Sequence, residues 1–298
     1  MKSAVRALSP LVPFFLIACA GPRSVNLTPE AAPKGQFRIE SDVALHLPTN
    51  TSQALYGGLE GGIKSLYNQI SGGNTVAMTV DSMNGYIEAI LAYALDPLGP
   101  TPGLSLHYGV LERFDVGYRR ESGANAFDIR CQFLGVPGKS GGGWKGSVAL
   151  QYSSQKYEFP SFLGLNKLQD LFKLEFKRKD FLVPIAVGKE FGGGGRFGSF
   201  ALGGVYDLAL ISYGTEYTRV IELLTNQPFQ NLRGEKKVHA FGSFATVRGG
   251  YKFIYAVASL TTYWQNYGNF VFYGNETKSW SGFTFMPSLG VEFRLGGK

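Results

Sequence analysis

The side chains best suited to acid–base chemistry or metal binding are the three histidines, His46, His107 and His239. A hydrolytic enzyme would need one of them beside a nucleophile, yet the sequence contains no nucleophile-elbow motif and no HExxH motif. The separations of the three histidines do not match a metal-binding pattern either. The sequence therefore predicts no catalytic site, no metal site and no cofactor.

Eleven charged side chains follow another pattern, in which they alternate with apolar residues. In residues 36–47, Phe37 and Ile39 alternate with Arg38 and Glu40. A period of two is typical of β-strands, whose successive side chains point to opposite faces. The charged face could form a salt-bridge network, because unpaired charges away from water are costly, or it could line a path for solutes. The residues on that face are Arg38, Glu40, Asp42, Arg113, Asp115, Arg119, Asp128, Arg130, Lys145, Glu292 and Arg294.

The alternation recurs in segments of about ten residues, the length with which a tilted strand crosses a membrane. A soluble β-sandwich also alternates, but it does not require that length or aromatic residues at the strand ends. The predicted strands are 36–47, 103–110, 112–121, 125–134, 144–154, 180–191, 197–212, 237–250, 252–264 and 281–295. The aromatic residues at their ends are Tyr108, Trp144, Tyr152, Tyr206, Tyr251, Tyr263 and Trp264. Because a membrane offers no water to backbone groups, the sheet has to close. The pattern predicts an all-β fold, an antiparallel transmembrane β-barrel of about ten strands.

The predicted connections are long at one end of this barrel and short at the other. The outward connections are 48–102, 122–124, 155–179, 213–236 and 265–280, and the inward ones are Leu111, 135–143, 192–196 and Tyr251. Long outer loops and short periplasmic turns are typical of outer-membrane barrels, so the N-terminus is expected on the periplasmic side. A twelve-strand alternative makes 86–95 and 172–178 into further strands.

Residues 48–102 form the longest insert and are the least strand-like part of the chain. Apolar residues recur on one helical stripe between Leu55 and Ile70, and Asp81–Leu95 is predicted to be a helix with Asp81 or Ser82 as its cap. The insert could be a plug or lid for the barrel, or an outer loop that packs on the rim.

The N-terminus has the features of an export signal. Lys2 and Arg6 precede an apolar stretch, residues 7–18, that is too short to span a bilayer as a helix. Residues 16–19, Leu-Ile-Ala-Cys, resemble the lipobox of bacterial lipoproteins, which implies a signal peptide of residues 1–18 and a lipid on Cys19. Residues 18–20, Ala-Cys-Ala, also fit an A-x-A signal-peptidase site with cleavage after Ala20.

The residues after the cleavage region are predicted to form a linker. The lipoprotein resemblance, with Ala20 after the cysteine where an inner-membrane protein can have Asp, implies sorting to the outer membrane. Residues 19–35 are predicted to be a flexible, lipidated tether, and residues 36–298 the barrel domain. The remaining cysteine, Cys131, lies in a predicted strand and is expected to act as a small apolar side chain.

The last predicted strand carries a second pattern linked to export. Ser288, Gly290 and Phe293 occupy the polar, glycine and aromatic positions of the C-terminal signal read by the barrel-assembly machinery, while Leu295 stands where that signal has its final aromatic residue. Over about residues 36–295, the chain thus resembles bacterial outer-membrane β-barrel proteins in architecture. That resemblance implies outer-membrane lipids and the barrel-assembly machinery as partners, and it identifies no specific family.

Two basic clusters lie near predicted outer ends of strands. Their members are Lys173, Lys177, Arg178, Lys179, Arg233, Lys236 and Lys237. We consider two interpretations, contact with lipopolysaccharide phosphates and ordinary solvated loop charge. The formal net charge is +7, and +5 without residues 1–18, which is too dispersed to predict nucleic-acid binding.

The sequence therefore favours a non-enzymatic, integral outer-membrane barrel with a structural or surface-interaction role. The first alternative is a narrow, gated pore for small solutes with a slight preference for anions, because ten strands enclose far less space than the 16–18 strands of porins. The second alternative is an outer-membrane lipid hydrolase.

Overall fold

The computed structural model describes residues 21, 23–49, 51–52, 76–137, 143–157, 173–192, 195–216, 220–222, 225, 227 and 229–296. The described residues include an α-helix, α1 (Val80–Leu95), and a short 3₁₀ helix at Tyr273–Asn275. The strands are β1 (Gln36–Pro48), β2 (Val76–Met78), β3 (Gly99–Leu111), β4 (Phe114–Glu121), β5 (Ala124–Leu134), β6 (Lys145–Lys156), β7 (Glu175–Phe191), β8 (Gly198–Gly214), β9 (Val220–Glu222), β10 (Arg233–Tyr251), β11 (Ile254–Val271) and β12 (Thr277–Gly296).

Ten of these strands close into an antiparallel barrel, and β2 and β9 pair with each other in a separate parallel sheet. The barrel closes at β1, where Ile39 lies opposite Phe293 of β12 and Leu106 of β3. The predicted ten-strand transmembrane barrel is confirmed. The twelve-strand alternative is wrong, because residues 86–95 belong to α1 and residues 175–178 are the beginning of β7.

The outward side chains of the barrel are mostly apolar, and charged side chains are buried on its inner face. In β5, Phe127, Ile129 and Phe133 are 59%, 59% and 52% exposed, whereas Asp128 and Arg130 between them are buried. Large exposed apolar side chains of this kind occur on every barrel strand described. Such a surface suits the hydrocarbon region of a bilayer, where lipid replaces water around the strands.

The two ends of the barrel differ in their connections, as the sequence predicts. At the short-turn end, the connections are 112–113, 135–144, 192–197 and 252–253, and at the long-loop end they are 49–98, 122–123, 157–174, 215–232 and 272–276. The last of these is shorter than the predicted 265–280, because β11 and β12 extend to 18 and 20 residues. In outer-membrane barrels, the short turns face the periplasm.

Helix α1 lies within the long insert, close to the predicted position. Its N-cap is Thr79, whose hydroxyl oxygen accepts a hydrogen bond of 3.2 Å from the backbone N–H of Ser82. The predicted caps, Asp81 and Ser82, are wrong because the helix begins at Val80. The stripe from Leu55 to Ile70 lies outside the described residues. Within the described chain, no helix has the length and apolar character needed to cross a bilayer.

Candidate functional site

The inward side chains of the barrel strands form a network of buried ion pairs around the lumen. Charges taken away from water are tolerated only with close partners, and four arginines of the wall each have one or two carboxylates within about 3 Å. The pairs are Arg130–Asp115 (2.6 Å), Arg119–Asp42 (2.8 Å), Arg119–Glu121 (2.8 Å), Arg248–Glu40 (2.9 Å), Arg248–Glu292 (3.1 Å) and Arg294–Glu292 (2.5 Å).

The sequence predicted eleven charged residues on this inner face, and ten of them are buried there. They are Arg38, Glu40, Asp42, Asp115, Arg119, Asp128, Arg130, Lys145, Glu292 and Arg294. Arg113 is the exception, because it lies exposed in the turn between β3 and β4 and donates to the backbone oxygen of Gln132 at 3.3 Å. The predicted strand began at residue 112, but the turn occupies residues 112–113.

The lumen at the short-turn end is filled by residues 23–32, which we call the lumenal segment. The side-chain amide of Asn26 donates to Glu40 at 2.6 Å, and the backbone N–H of Ala32 donates to Asp115 at 2.6 Å. The hydroxyl of Thr28 accepts hydrogen bonds from Arg38 (3.0 Å) and Arg130 (2.5 Å). The segment thus adds partners to the ion pairs of the wall.

The prediction of a flexible tether is wrong for the lumenal segment. Its residues are almost all buried, and Lys145 of β6 pairs with Glu30 at 2.9 Å. The chain passes close to Gly109 of β3 where it enters the lumen. A side chain would not fit at Gly109, because its Cβ would lie 2.0 Å from the backbone oxygen of Pro33. Residues 1–20, including the predicted signal peptide and the lipidation site Cys19, lie outside the described residues.

A second group of charges lies where the lumenal segment meets helix α1. We call Arg23, Asp96, Arg178, Asp180 and Asp207 the upper cluster. Arg23 donates to Asp207 at 3.0 Å and lies 3.9 Å from Asp96, and Arg178 pairs with Asp180 at 2.7 Å and with Asp207 at 3.5 Å. The upper cluster therefore joins the lumenal segment, the end of α1 and two strands.

Helix α1 fills the lumen at the long-loop end and buries its apolar side chains against the inner wall. Its C-terminal carbonyl, that of Leu95, accepts hydrogen bonds from Arg178 (2.8 Å) and Tyr267 (3.2 Å), so a cation lies at the negative end of the helix dipole. The apolar cluster around the helix includes Met83, Ile87, Ile90, Leu91, Tyr93, Leu95, Phe176, Ile211, Val238, Tyr267, Phe270, Phe272 and Trp280. Lid or plug was one of the two interpretations of this insert, and the burial of α1 supports it.

Little free space is left between the lumenal segment and the wall. A cavity of about 50 Å³ lies there, lined by polar residues that include Thr28, His107, Asp128, Arg130 and Glu292. This volume holds about three water molecules. This cavity is too small to hold a solute larger than a few water molecules.

No protein-family model matches the chain, and no curated protein matches it. Among solved structures, Ail, the attachment invasion locus protein of Yersinia pestis, aligns over 88% of this chain and 99% of its own, with 10% identity and a TM-score of 0.31. Neisserial surface protein A aligns over 87% and 99%, with 12% identity and a TM-score of 0.31. The N-terminal β-barrel domain of OprF from Pseudomonas aeruginosa aligns over 88% and 98%, with 9% identity and a TM-score of 0.23. The fold assignment of this chain rests on its own strand pairing.

The three histidines lie in different places. His46 is buried 3.6 Å from Glu121, and His239 bonds Tyr206 on the outer surface at 2.7 Å. His107 lies eight residues from His46 along the paired strands β1 and β3, a separation of roughly 27 Å. They therefore cannot act together at one site.

His107 lies in a small cluster of groups that could bind a metal. Its Nδ1 is 3.5 Å from Asp128 and 3.9 Å from Asp115. Alternation alone predicts that His107, Asp115 and Asp128 point inward. Their proximity depends on the register of β3 with β4 and of β4 with β5, which the sequence does not give. Because the guanidinium of Arg130 already neutralises Asp115 at 2.6 Å, a second cation would be repelled there.

The two predicted basic clusters separate into inward and outward residues. Arg178 is buried in the upper cluster and is not a surface residue, because it lies on the inward face of β7 with Asp180. Lys236 is half-buried and donates to the backbone oxygen of Asn269 at 2.6 Å. The exposed members are Lys173, Lys177, Lys179, Arg233 and Lys237.

One predicted interface aromatic also points inward. Tyr263 is fully buried, its hydroxyl donates to the backbone oxygen of Arg23 at 2.9 Å, and the Arg23 guanidinium lies 4.4 Å from its ring centre. Its neighbour Trp264 faces outward, as the regular alternation of β11 requires, so only one of these two aromatic residues can lie on the outer surface.

Proposed function

We propose that this protein is a non-conducting outer-membrane barrel with a structural role and a surface-interaction role at its long-loop end. The observation that carries the proposal is the filled lumen. The lumenal segment occupies one half, helix α1 occupies the other, and a cavity of about 50 Å³ remains. A barrel closed from both ends supports a structural role over solute transport.

Planar-bilayer recording tests the absence of conduction. The purified protein is expected to give no steady current, whereas a variant lacking residues 23–32 is expected to give intermittent channels because the polar wall loses its filling. Steady picosiemens-to-nanosiemens channels from the unaltered protein would replace this proposal with the gated pore. Replacement of the exposed Arg113 with Gln, in the turn between β3 and β4, provides the control, which should remain silent.

The surface-interaction role is supported by the five exposed cations at the long-loop end. Register places Lys179 of β7 and Lys237 of β10 on either side of Leu210 of β8, so the cations lie along the two strands that flank β8. An open hollow of about 390 Å³ lies among them, lined by Lys173, Lys177 and Arg233. Cations and hydroxyls at the outer end of a barrel suit the phosphate groups of lipopolysaccharide.

Replacing the five exposed cations with Gln tests this contact. The change is expected to reduce the lipopolysaccharide that remains with the protein after detergent extraction by at least half. A control variant replaces five exposed or half-exposed cations at the short-turn end, Lys34, Arg113, Lys189, Arg196 and Lys252. Equal retention by both variants would exclude the proposed contact.

A further inference from the structure

The upper cluster contains more carboxylates than cations. It holds Asp96, Asp180 and Asp207 but only the guanidinium groups of Arg23 and Arg178. All five side chains are at most 3% exposed. The cluster therefore carries one net negative charge away from water, which is costly unless another cation lies close.

Three polar atoms at this cluster have no hydrogen-bond partner among the described residues: Oδ1 of Asp96, Oδ1 of Asp207 and Oε1 of Gln155. Gly21 lies next to Oε1 of Gln155. A methyl group added to Gly21 would be 3.1 Å from Oδ2 of Asp180 and 3.6 Å from Oε1 of Gln155. The nitrogen of Gly21 is roughly 2.5 Å from that methyl position, since both are bonded to the same carbon.

We propose that the mature chain begins at Gly21 and that its α-ammonium group pairs with Asp180 and Gln155 inside the barrel. A signal peptidase adds water across the Ala20–Gly21 peptide bond, so that Ala20 leaves with a carboxylate and Gly21 keeps an amine. That amine is protonated near pH 7. It supplies the positive charge that balances the upper cluster and, like a lysine ammonium, three hydrogen-bond donors.

Cleavage after Ala20 removes Cys19, and with it the lipid that the lipobox resemblance implies. The new amine then belongs to Gly21, which is buried inside the closed barrel beside Asp180. Of the two cleavage sites in the sequence, the one after Ala20 is compatible with this path of the chain.

Intact mass spectrometry of the protein extracted from bacterial outer membranes measures the start directly. The expected mass is that of residues 21–298 with an unmodified amine. A diacylglyceryl group on Cys19, or any other first residue, overturns the proposal. The variant Cys19→Ala should give the same mass and the same amount of assembled barrel, because the mature chain does not contain residue 19, and loss of processing would contradict the proposal.

A second measurement tests the ion pair itself. Two versions are refolded into lipid vesicles, one starting at Gly21 and one extended at that end by two alanines, and both are unfolded with urea. Moving the ammonium away from Asp180 is expected to raise the unfolding equilibrium constant by about tenfold or more, the usual effect of losing a hydrogen bond to a charged group. A version extended by two alanines at the C-terminus is the control. Equal stability of all three versions overturns the ion pair.

Discussion

The two halves of the lumen are filled by different chemistry. At the short-turn end, an extended segment contacts a charged wall, as in the hydrogen bonds from Asn26 to Glu40 and from Ala32 to Asp115. At the long-loop end, a helix contacts an apolar wall that includes Ile90 and Trp280. Both fillings come from the chain itself.

This difference follows from what each filling requires of the wall. An extended segment without strand partners leaves one donor and one acceptor per residue to be satisfied, so it needs polar neighbours. A helix satisfies its own backbone and gains most from burying an apolar face. The inner face of the barrel accordingly changes from charged to apolar towards the long-loop end. The variants below test whether each half depends on its own chemistry.

The largest effect is expected in the ionic half, from Arg130→Met. This change leaves Asp115 buried without its guanidinium, and removing one partner of a buried pair costs about 3–5 kcal/mol. The free energy of unfolding in lipid vesicles, measured by urea titration, checks this value. Arg113→Met, in the exposed turn, is the control and should stay within about 0.5 kcal/mol of the unaltered protein.

The double variant Arg130→Met with Asp115→Asn sharpens the same test. Because no uncompensated charge remains, it should recover most of the lost stability. If the double variant is as unstable as the sum of the single variants, the ion pair is not what holds this half together.

In the apolar half, Ile90→Ala is expected to cost about 2–5 kcal/mol, because it leaves a cavity between α1 and the wall. Trp280 lies in this cluster, so its fluorescence reports the helix when Trp144 and Trp264, which face outward, are replaced by Phe. Val271→Ala, which shortens an outward apolar side chain of β11, is the matched control. The quantity measured is the urea midpoint of the Trp280 fluorescence transition. If Ile90→Ala leaves this midpoint unchanged, the helix is not held by apolar packing.

The polar–apolar alternation was sufficient to predict the barrel and most of the wall. In β5, Phe127 and Ile129 face outward and Asp128 and Arg130 inward, because strongly polar and strongly apolar residues alternate there. In β8, the contrast disappears: Asp207 shares its inward face with Val205 and Ala209, while the outward Leu208 is also apolar. The alternation therefore does not mark Asp207 as an inward charge.

Arg178 and the lumenal segment could not be placed from the sequence for other physical reasons. Arg178 lies on the same inward face of β7 as Asp180, but the predicted strand began at residue 180, so Arg178 was assigned to a surface cluster. The lumenal segment has no periodicity, and many of its hydrogen-bond partners are distant in the sequence, such as Gln265, which is 242 residues from Arg23. Such contacts depend on strand register, which a single sequence does not provide.

A smaller effect is expected from the cap of the helix in the apolar half. Thr79→Ala removes the acceptor for the backbone N–H of Ser82 and should destabilise α1 by about 1 kcal/mol. The Trp280 midpoint in urea provides the measurement. Thr79→Ser keeps the hydroxyl and is the control, so an equal loss in both variants would argue against the cap.

The smallest effect is expected at the rim, where an exposed ion pair contrasts with the buried pairs of the lumen. The ammonium of Lys278, 3.1 Å away, and the side-chain amide of Asn84, at 2.9 Å, lower the pKa of the Glu276 carboxyl. A lowered pKa in the folded state means that this contact stabilises the rim above the unfolded value of about 4.3 and is lost as the pH falls through the folded value. The contact is measured as the difference in the urea midpoint of Trp280 fluorescence between the unaltered protein and Glu276→Gln, because other carboxylates titrate in the same pH range.

That difference should be small and positive at pH 6 and should shrink towards pH 3. A difference that grows on acidification would show that Glu276 does not hold α1 through its charge.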